Sequence, residues 1–289
     1  MTTEALKNKH MVNLNAVSET ALLTLKARVL EAEKPSPLIH DPMGREILDR
    51  ISTQVSAGTL ERVLNKKLPS TLTGYLALRA RKYDFYTKTF LEEYPDGTVA
   101  NLGCGFDTRY WRIRDKPWNY VEIDLPEVIQ AKREILGNSA EYEMIGSSVA
   151  DREWIDSISA KQKKRVLFLA EGLLMYLQEH DAIQLFRRLA VTFSESQIVF
   201  EIIRKKYTEG FRKKMVEFRI NRASGTLAGE SYNFGLKQAK EIESYSDSIR
   251  VLDEWSYFED PDIKPGFLRI LRHFKAFSRT QWTIRAAIQ

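Results

Sequence analysis

The chain has 289 residues, 43% hydrophobic and 29% charged, a composition that excludes a disordered polymer and suits one large folded core. Its 44 Lys+Arg against 39 Asp+Glu leave a formal net charge of +5, dispersed and without the cation–aromatic interleaving of a nucleic-acid groove. One cysteine excludes a disulfide framework or a cysteine-built zinc site. The start, MTTEALKNKHMVNLN, lacks the apolar segment of a secretion signal, and no apolar run reaches the roughly 18 residues of a membrane span. The expectation is a soluble cytoplasmic protein with no metal, nucleic-acid or membrane partner.

In chain order, residues 1–94 read as helical. Over Ser18–Glu31, apolar Ala21, Leu22, Leu25 and Val29 recur at helical spacing, with Ser18 as the predicted N-cap. Pro35 and Pro37 break this helix; a second is predicted over Met43–Ser56 and a third over Leu72–Tyr94, closed by the Pro95-Asp96-Gly97 turn. The texture then changes. Short apolar runs at Thr98–Leu102, Tyr120–Ile123, Tyr142–Ile145, Val166–Ala170 and Ile198–Ile203 alternate with helix-compatible stretches such as Pro126–Leu136 and His180–Thr192. Such alternation predicts an α/β fold with a mostly parallel sheet and helices on both faces. A polar, helical-looking insertion over 205–248 follows the fifth strand, and Arg250–Phe258 and Gln281–Ala287 supply two last strands, making seven. The expected division is one domain, with a helical cap (1–94), an α/β core (95–204), a lid (205–248) and C-terminal strands (249–289).

The most informative stretch is Val99–Arg109, VANLGCGFDTR, where a strand runs into Gly103-Cys104-Gly105. Gly103 permits a tight turn, Gly105 lets the backbone approach a ligand, and Asp107 is a good cap for the next helix. An acid about 20 residues on, at the tip of the next strand, would bond ribose hydroxyls; Asp124 stands there, closing YVEID. The third glycine of a dinucleotide fingerprint is absent, Thr108 taking its place. A ligand with ribose and adenine but no pyrophosphate does not need it, and S-adenosylmethionine fits that description. Two other readings stay open at this point: an NAD-dependent oxidoreductase, or a plain strand–helix turn with Asp124 capping the following helix.

NLGCGFDTRYWR (101–112), VEIDLPEVIQAKREIL (121–136) and FLAEGLLMYL (168–177) together resemble the leucine carboxyl methyltransferase family, whose bacterial branch includes polyketide O-methyltransferases. VSETALLTLKARVLE, LIHDPMG and RARKYD upstream are similar to that family's N-terminal segment. The resemblance implies a Rossmann-like class I methyltransferase fold and O-methylation with S-adenosylmethionine as donor. By motif it implies cofactor contacts from Gly103 and Gly105 of the turn, Asp124 at the ribose, Arg81 of RARKYD, and Glu171 after the fourth strand. Ser148 and Val149 stand where the family has Asp-Leu around the adenine, so a charged acceptor for the adenine amino group is missing.

Chemically, Arg81 could fork onto the ligand's carboxylate and Glu171 could take its ammonium or favour its sulfonium; their plainer roles are a surface charge and a strand-end residue. Cys104 reads as a small buried hydrophobe. The four histidines show no metal spacing, and no histidine–acid dyad names a general base. Catalytic residues therefore stay unassigned. The acceptor is expected to be a small-molecule hydroxyl or carboxylate, with a protein or peptide C-terminal carboxylate as alternative and a non-catalytic ligand-binding module as another.

Overall fold

The computed structural model describes residues 16–54, 58, 60–113, 117–161, 165–215 and 231–289, and its seven strands form one sheet in the order β3-β2-β1-β4-β5-β7-β6. The strands are β1 (Thr98–Leu102), β2 (Tyr120–Asp124), β3 (Glu143–Gly146), β4 (Val166–Ala170), β5 (Ser196–Ile203), β6 (Ile249–Trp255) and β7 (Gln281–Ile288). Strands β1 to β5 pair in parallel; β7 runs antiparallel to both β5 and β6. This is the Rossmann-like class I methyltransferase fold, a mostly parallel sheet with helices.

Four strands (β1, β2, β4 and β5) are buried along their whole length. A strand covered on both faces has no polar alternation, which is why VLFLA reads as a continuous apolar run, and VANL is broken only by Asn101, which donates to Asp107 and Tyr120. The two-residue period still sorts the packing. Ala100, Leu102, Phe168 and Ile198 meet Trp154, Leu185 and Phe186 of the helices after β3 and β4. Val99, Leu167, Leu169 and Val199 meet Tyr83, Tyr86 and Phe90 on the other side. Those tyrosines belong to the 24-residue helix Ser70–Glu93, which ends before the Pro95–Gly97 turn. A helical pair, α1 (Ala16–Ala32) and α2 (Pro42–Ser52), packs through Leu22, Leu25 and Ile47 against Ile129 and Phe106.

Several boundaries differ from the expectation. The first helix already includes Ala16 and Val17, so Ser18 lies inside it rather than capping it. The second helix is capped by Asp41, whose carboxylate accepts from the Gly44 amide at 3.0 Å, and stops at Ser52, short of Ser56. The last residues expected in β6 instead form a short 3-10 turn, Tyr257–Glu259, capped by Ser256. In the insertion, a 3-10 turn at Lys205–Tyr207 and helical residues 210–215 are followed by 216–230, which lie outside the described residues; the chain returns so that Leu236 bridges Arg204. Among the described residues no helix is long and apolar enough to cross a membrane.

Because β6 is antiparallel to β7 and β7 to β5, β6 runs with β5. The carboxyl ends of β1 to β6 therefore share one edge, which also carries the β6–β7 connection. Trp154 is fully buried, edge-on to Phe168 with 6.3 Å between ring centres. Trp154→Ala should cost about 3–5 kcal/mol in urea unfolding, against under about 0.5 kcal/mol for the exposed Val191→Ala.

Candidate functional site

The parallel register lines up five residues on one rung. Asp124 pairs with Gly146; Leu102 pairs with Ile123, setting Gly103 beside Asp124. Asn101 pairs with Leu169 and Ala170 with Phe200, so continuing both ladders sets Gly103 beside Glu171 and Glu171 beside Glu201. Side chains on one rung of a parallel sheet point to the same face. Asp124, Glu171 and Glu201 thus share the face covered by the Ser70–Glu93 helix. The row crosses the β1/β4 junction, where the strand order reverses and the crevice of an open α/β sheet lies.

At the bend, Gly103 and Gly105 both adopt the left-handed conformation, with φ of +61° and +49°. Packing requires glycine there as well, since a Cβ would lie 2.7 Å from Leu173 at Gly103 and 2.8 Å from Ala21 at Gly105. The Asp124 carboxylate accepts from the Gly105 amide and from the Leu125 amide, each at 2.7 Å. Burial pushes this carboxyl up, and the two amides pull it back only in part. Next to it, the Ser147 amide donates to the Asp124 carbonyl at 2.8 Å. Ser148 Oγ accepts from the Ala150 amide at 3.2 Å, while Val149 is buried and its carbonyl accepts from the Trp154 indole at 3.3 Å.

Glu171 is held at both oxygens, by Arg79 Nε at 2.9 Å and by Arg109 at 2.7 Å. Arg79 also bonds Glu201 at 2.8 Å, and Tyr75 donates to the other oxygen of Glu201. Arg109, wholly buried, binds Asp84 at 2.8 Å and Asp107 besides Glu171. Arg112 joins Asp84 (2.8 Å), Asp107 (3.2 Å) and Asp41 (3.5 Å), and Arg28 closes the chain on Asp41 at 3.1 Å. Burial alone would push Asp107 up, but Arg109 and Arg112 hold it far below the usual carboxylate range; Arg112 and Arg28 likewise lower Asp41 against its burial.

Gly103, Gly105, Asp124 and Glu171 therefore meet at one edge, with Ser148 and Val149 adjoining Asp124. Arg81 does not join them. Its guanidinium is clamped by Asp260 at 2.9 Å and Asp262 at 2.8 Å, after β6. Arg79, two residues earlier, is the arginine that reaches Glu171. Two helical positions lie about 200° apart, so only one of a pair spaced this way faces the sheet. The signal was present in the i, i+4 stripe Tyr75, Arg79, Tyr83, Thr87. Asp84 and Arg109 stand inside RARKYD and NLGCGFDTRYWR, which gave them no assigned role, and Glu201 lies in no quoted motif; their pairing emerges only from packing. Cys104 is buried, which pushes its thiol well up, and His40 and His180 are exposed. Among the described residues, no cluster of three or more His, Cys, Asp or Glu could hold a metal ion.

A profile of the leucine carboxyl methyltransferase family matches residues 21–190. The tetracenomycin polyketide synthesis O-methyltransferase TcmP of Streptomyces glaucescens is 30% identical over 252 residues, covering 86% of each chain. An S-adenosyl-L-methionine-dependent methyltransferase, dpfgK of Gibberella zeae, is 26% identical over 263 residues, covering 88% of this chain and 86% of that one. A crystal structure of a duf574 family protein from Streptomyces avermitilis superposes with a TM-score of 0.54 at 12% identity over 92% of this chain and 97% of the other, a likeness of fold.

Groups with depressed carboxyl pKa values contribute stability above the unfolded value, about 3.9 for aspartate, and lose it as pH falls below that. Stability measured by urea unfolding should therefore fall on acidification below about pH 4 more steeply for the wild type than for Asp107→Asn; equal slopes would mean that the arginines do not set this carboxyl. Gly103→Ala places a side chain on Leu173 in left-handed backbone, and should cost about 1–3 kcal/mol together with cofactor affinity.

Proposed function

Because this chain belongs to the leucine carboxyl methyltransferase family, we propose that it transfers the methyl group of S-adenosylmethionine to an oxygen of a small-molecule acceptor, a hydroxyl or carboxylate of polyketide type. The observation carrying this reading is the rung on which Asp124, Gly103 and Glu171 stand side by side at the β1/β4 crevice. Asp124 would take the ribose hydroxyls, and the Gly146–Val149 turn beside it would flank the adenine. Ser148 Oγ, which accepts one bond from the Ala150 amide, keeps a second lone pair that could take the adenine amino group, as could backbone carbonyls. Glu171 and Arg79 would face the amino-acid end. For Arg81 to do so it must give up Asp260 and Asp262; Arg79 needs no such exchange.

The charges suit the ligand. Asp41, Asp84, Asp107, Glu171 and Glu201 are five carboxylates against four guanidiniums, Arg28, Arg79, Arg109 and Arg112, so 5 − 4 leaves one negative charge in excess. When bound, S-adenosylmethionine supplies an electrophilic methyl group on a cationic sulfur. The protein's own task is then to align an acceptor oxygen with that methyl and exclude water, a contribution of up to ~7–11 kcal/mol. A carboxylate or an acidic phenol is ionised near neutral pH and needs no base for this, which agrees with the absence of histidine from the charge lattice among the described residues. The name of TcmP, a polyketide O-methyltransferase, supports a small-molecule oxygen acceptor of either kind. The family's name keeps a peptide carboxyl terminus as a second reading.

In this reading residues 1–94 form a cap, 95–204 the cofactor-binding core, 205–248 a lid that selects the acceptor, and 249–289 the closing strands. Support for the lid comes from its returning end. Tyr232 packs on Tyr176 at 5.3 Å, and the Asn233 amide donates to the Met175 carbonyl at 2.8 Å, four residues beyond Glu171.

S-adenosylmethionine at 100 times its dissociation constant should raise stability by about 2.7 kcal/mol in thermal unfolding, and NAD should not. Asp124→Ala should weaken the ligand about tenfold to a hundredfold in calorimetric titration, while Arg81→Ala leaves affinity within about twofold. Release of S-adenosylhomocysteine with phenolic but not carboxylate acceptors would select the hydroxyl reading. Failure to bind S-adenosylmethionine would overturn the whole proposal.

A further inference from the structure

The chain's net charge has a location. Residues 263–289 contain six cations (Lys264, Arg269, Arg272, Lys275, Arg279, Arg285) and no acid, so the preceding 262 residues carry 38 cations against 39 acids. Arg279 is tied to Glu254 and Glu259, and Arg285 to Gln197. Among the described residues no carboxylate pairs with Lys264, Arg272 or Lys275, and all three are exposed.

The same stretch exposes a row of large apolar side chains, Phe267 at 74%, Ile270 at 62%, Phe274 at 54% and Phe277 at 55%. Phe267 and Ile270 lie on the 3-10 helix Gly266–His273, where a spacing of three sets them on one side; Phe274 joins that helix to the short helix Lys275–Ser278, which carries Phe277. Residues 272–277 are exposed without interruption. The underside is anchored: Ile263 and Leu268 pack with Leu38 and Ile39 of the connection between α1 and α2 and with Ala77 of the Ser70–Glu93 helix. The segment is thus a fixed ridge with protruding apolar tips and flanking cations.

We infer that this ridge, Lys264–Phe277, docks the protein onto an anionic lipid surface, with the phenylalanines entering the interface and the cations meeting lipid headgroups. A stripe of large apolar residues flanked by Lys and Arg is the pattern of interfacial segments that lie on a membrane without spanning it. A second copy of the chain suits it less, because two-fold pairing along the stripe would bring Arg272 and Lys275 against their own counterparts. Among the described residues no helix is long and apolar enough to cross a membrane; against the expectation of no membrane partner, the contact inferred here is peripheral. Since the β6–β7 connection sits at the carboxyl edge of the sheet, docking would bring the crevice to the membrane surface, where an apolar acceptor partitions. The docking itself does not depend on which atom is methylated.

The full chain should co-sediment with vesicles of phosphatidylcholine containing phosphatidylserine and much less with phosphatidylcholine alone. Raising salt from about 0.1 M to about 0.5 M should release it. Phe274→Ser/Phe277→Ser and Arg272→Glu/Lys275→Glu should each weaken vesicle binding by about tenfold or more, with thermal unfolding and S-adenosylmethionine affinity unchanged, as fits exposed positions. No binding to anionic vesicles, or equal binding by the variants, would overturn the inference. So would a dimer in solution that Phe274→Ser/Phe277→Ser dissociates, or protection of Phe274 by another segment of this chain in cross-linking.

Discussion

A single buried guanidinium holds the carboxyl edge together. Arg109 has no exposed surface and binds carboxylates from three separate elements: Asp84 on the long N-terminal helix, Asp107 in the glycine bend, and Glu171 at the tip of β4. A charge this deep is tolerable only when every partner is in place, and loss of one partner from such a cluster costs about 3–5 kcal/mol. The geometry is therefore over-determined. Arg79 extends the lattice to β5 through Glu201, and Arg112 and Arg28 extend it to Asp41 at the cap of α2. The lattice contributes position rather than net stability, because desolvating its members consumes much of what their attraction returns.

From that constraint the site follows. The bend after β1 must pass beneath Leu173 and beside Ala21, and only glycine at 103 and 105 allows it. Asp124 then meets backbone amides rather than a cation. Burial raises its carboxyl while Asp107, two residues past the Gly105 whose amide Asp124 binds but ringed by arginines, is lowered. Two nearby aspartates thus stand in different surroundings, one among arginines and one among backbone amides. The N-terminal helices are part of this arrangement, since they supply Arg28, Asp41, Arg79 and Asp84 to a cluster whose other half belongs to the sheet.

Legibility varied residue by residue, for physical reasons. The placement of Asp124 beside Gly103 was readable, because a strand–helix–strand unit fixes the spacing between the tips of neighbouring parallel strands. The strands Thr98–Leu102 and Val166–Ala170 were readable to the residue, because double-sided burial leaves a mostly apolar run between polar turns. Arg79 and Arg81 were not separable by motif, as both are arginines in RARKYD and only the helix phase against the sheet distinguishes them. Ser18 misled because a capping residue type inside a helix looks the same in sequence as one at its start. Glu201 was invisible, since an isolated acid in an apolar strand has no local partner to betray it.

The sequence by itself determined the alternation of strands and helices, the glycine bend with its acid, and the family to which the chain belongs, because each rests on short-range spacing or on motifs that survive substitution around them. Tertiary structure alone decided which charges meet. Asp84 and Arg109, Arg79 and Glu171, Tyr75 and Glu201 are separated by 25, 92 and 126 residues. Only the register of a parallel sheet, with a helix laid across it, brings them within hydrogen-bonding distance.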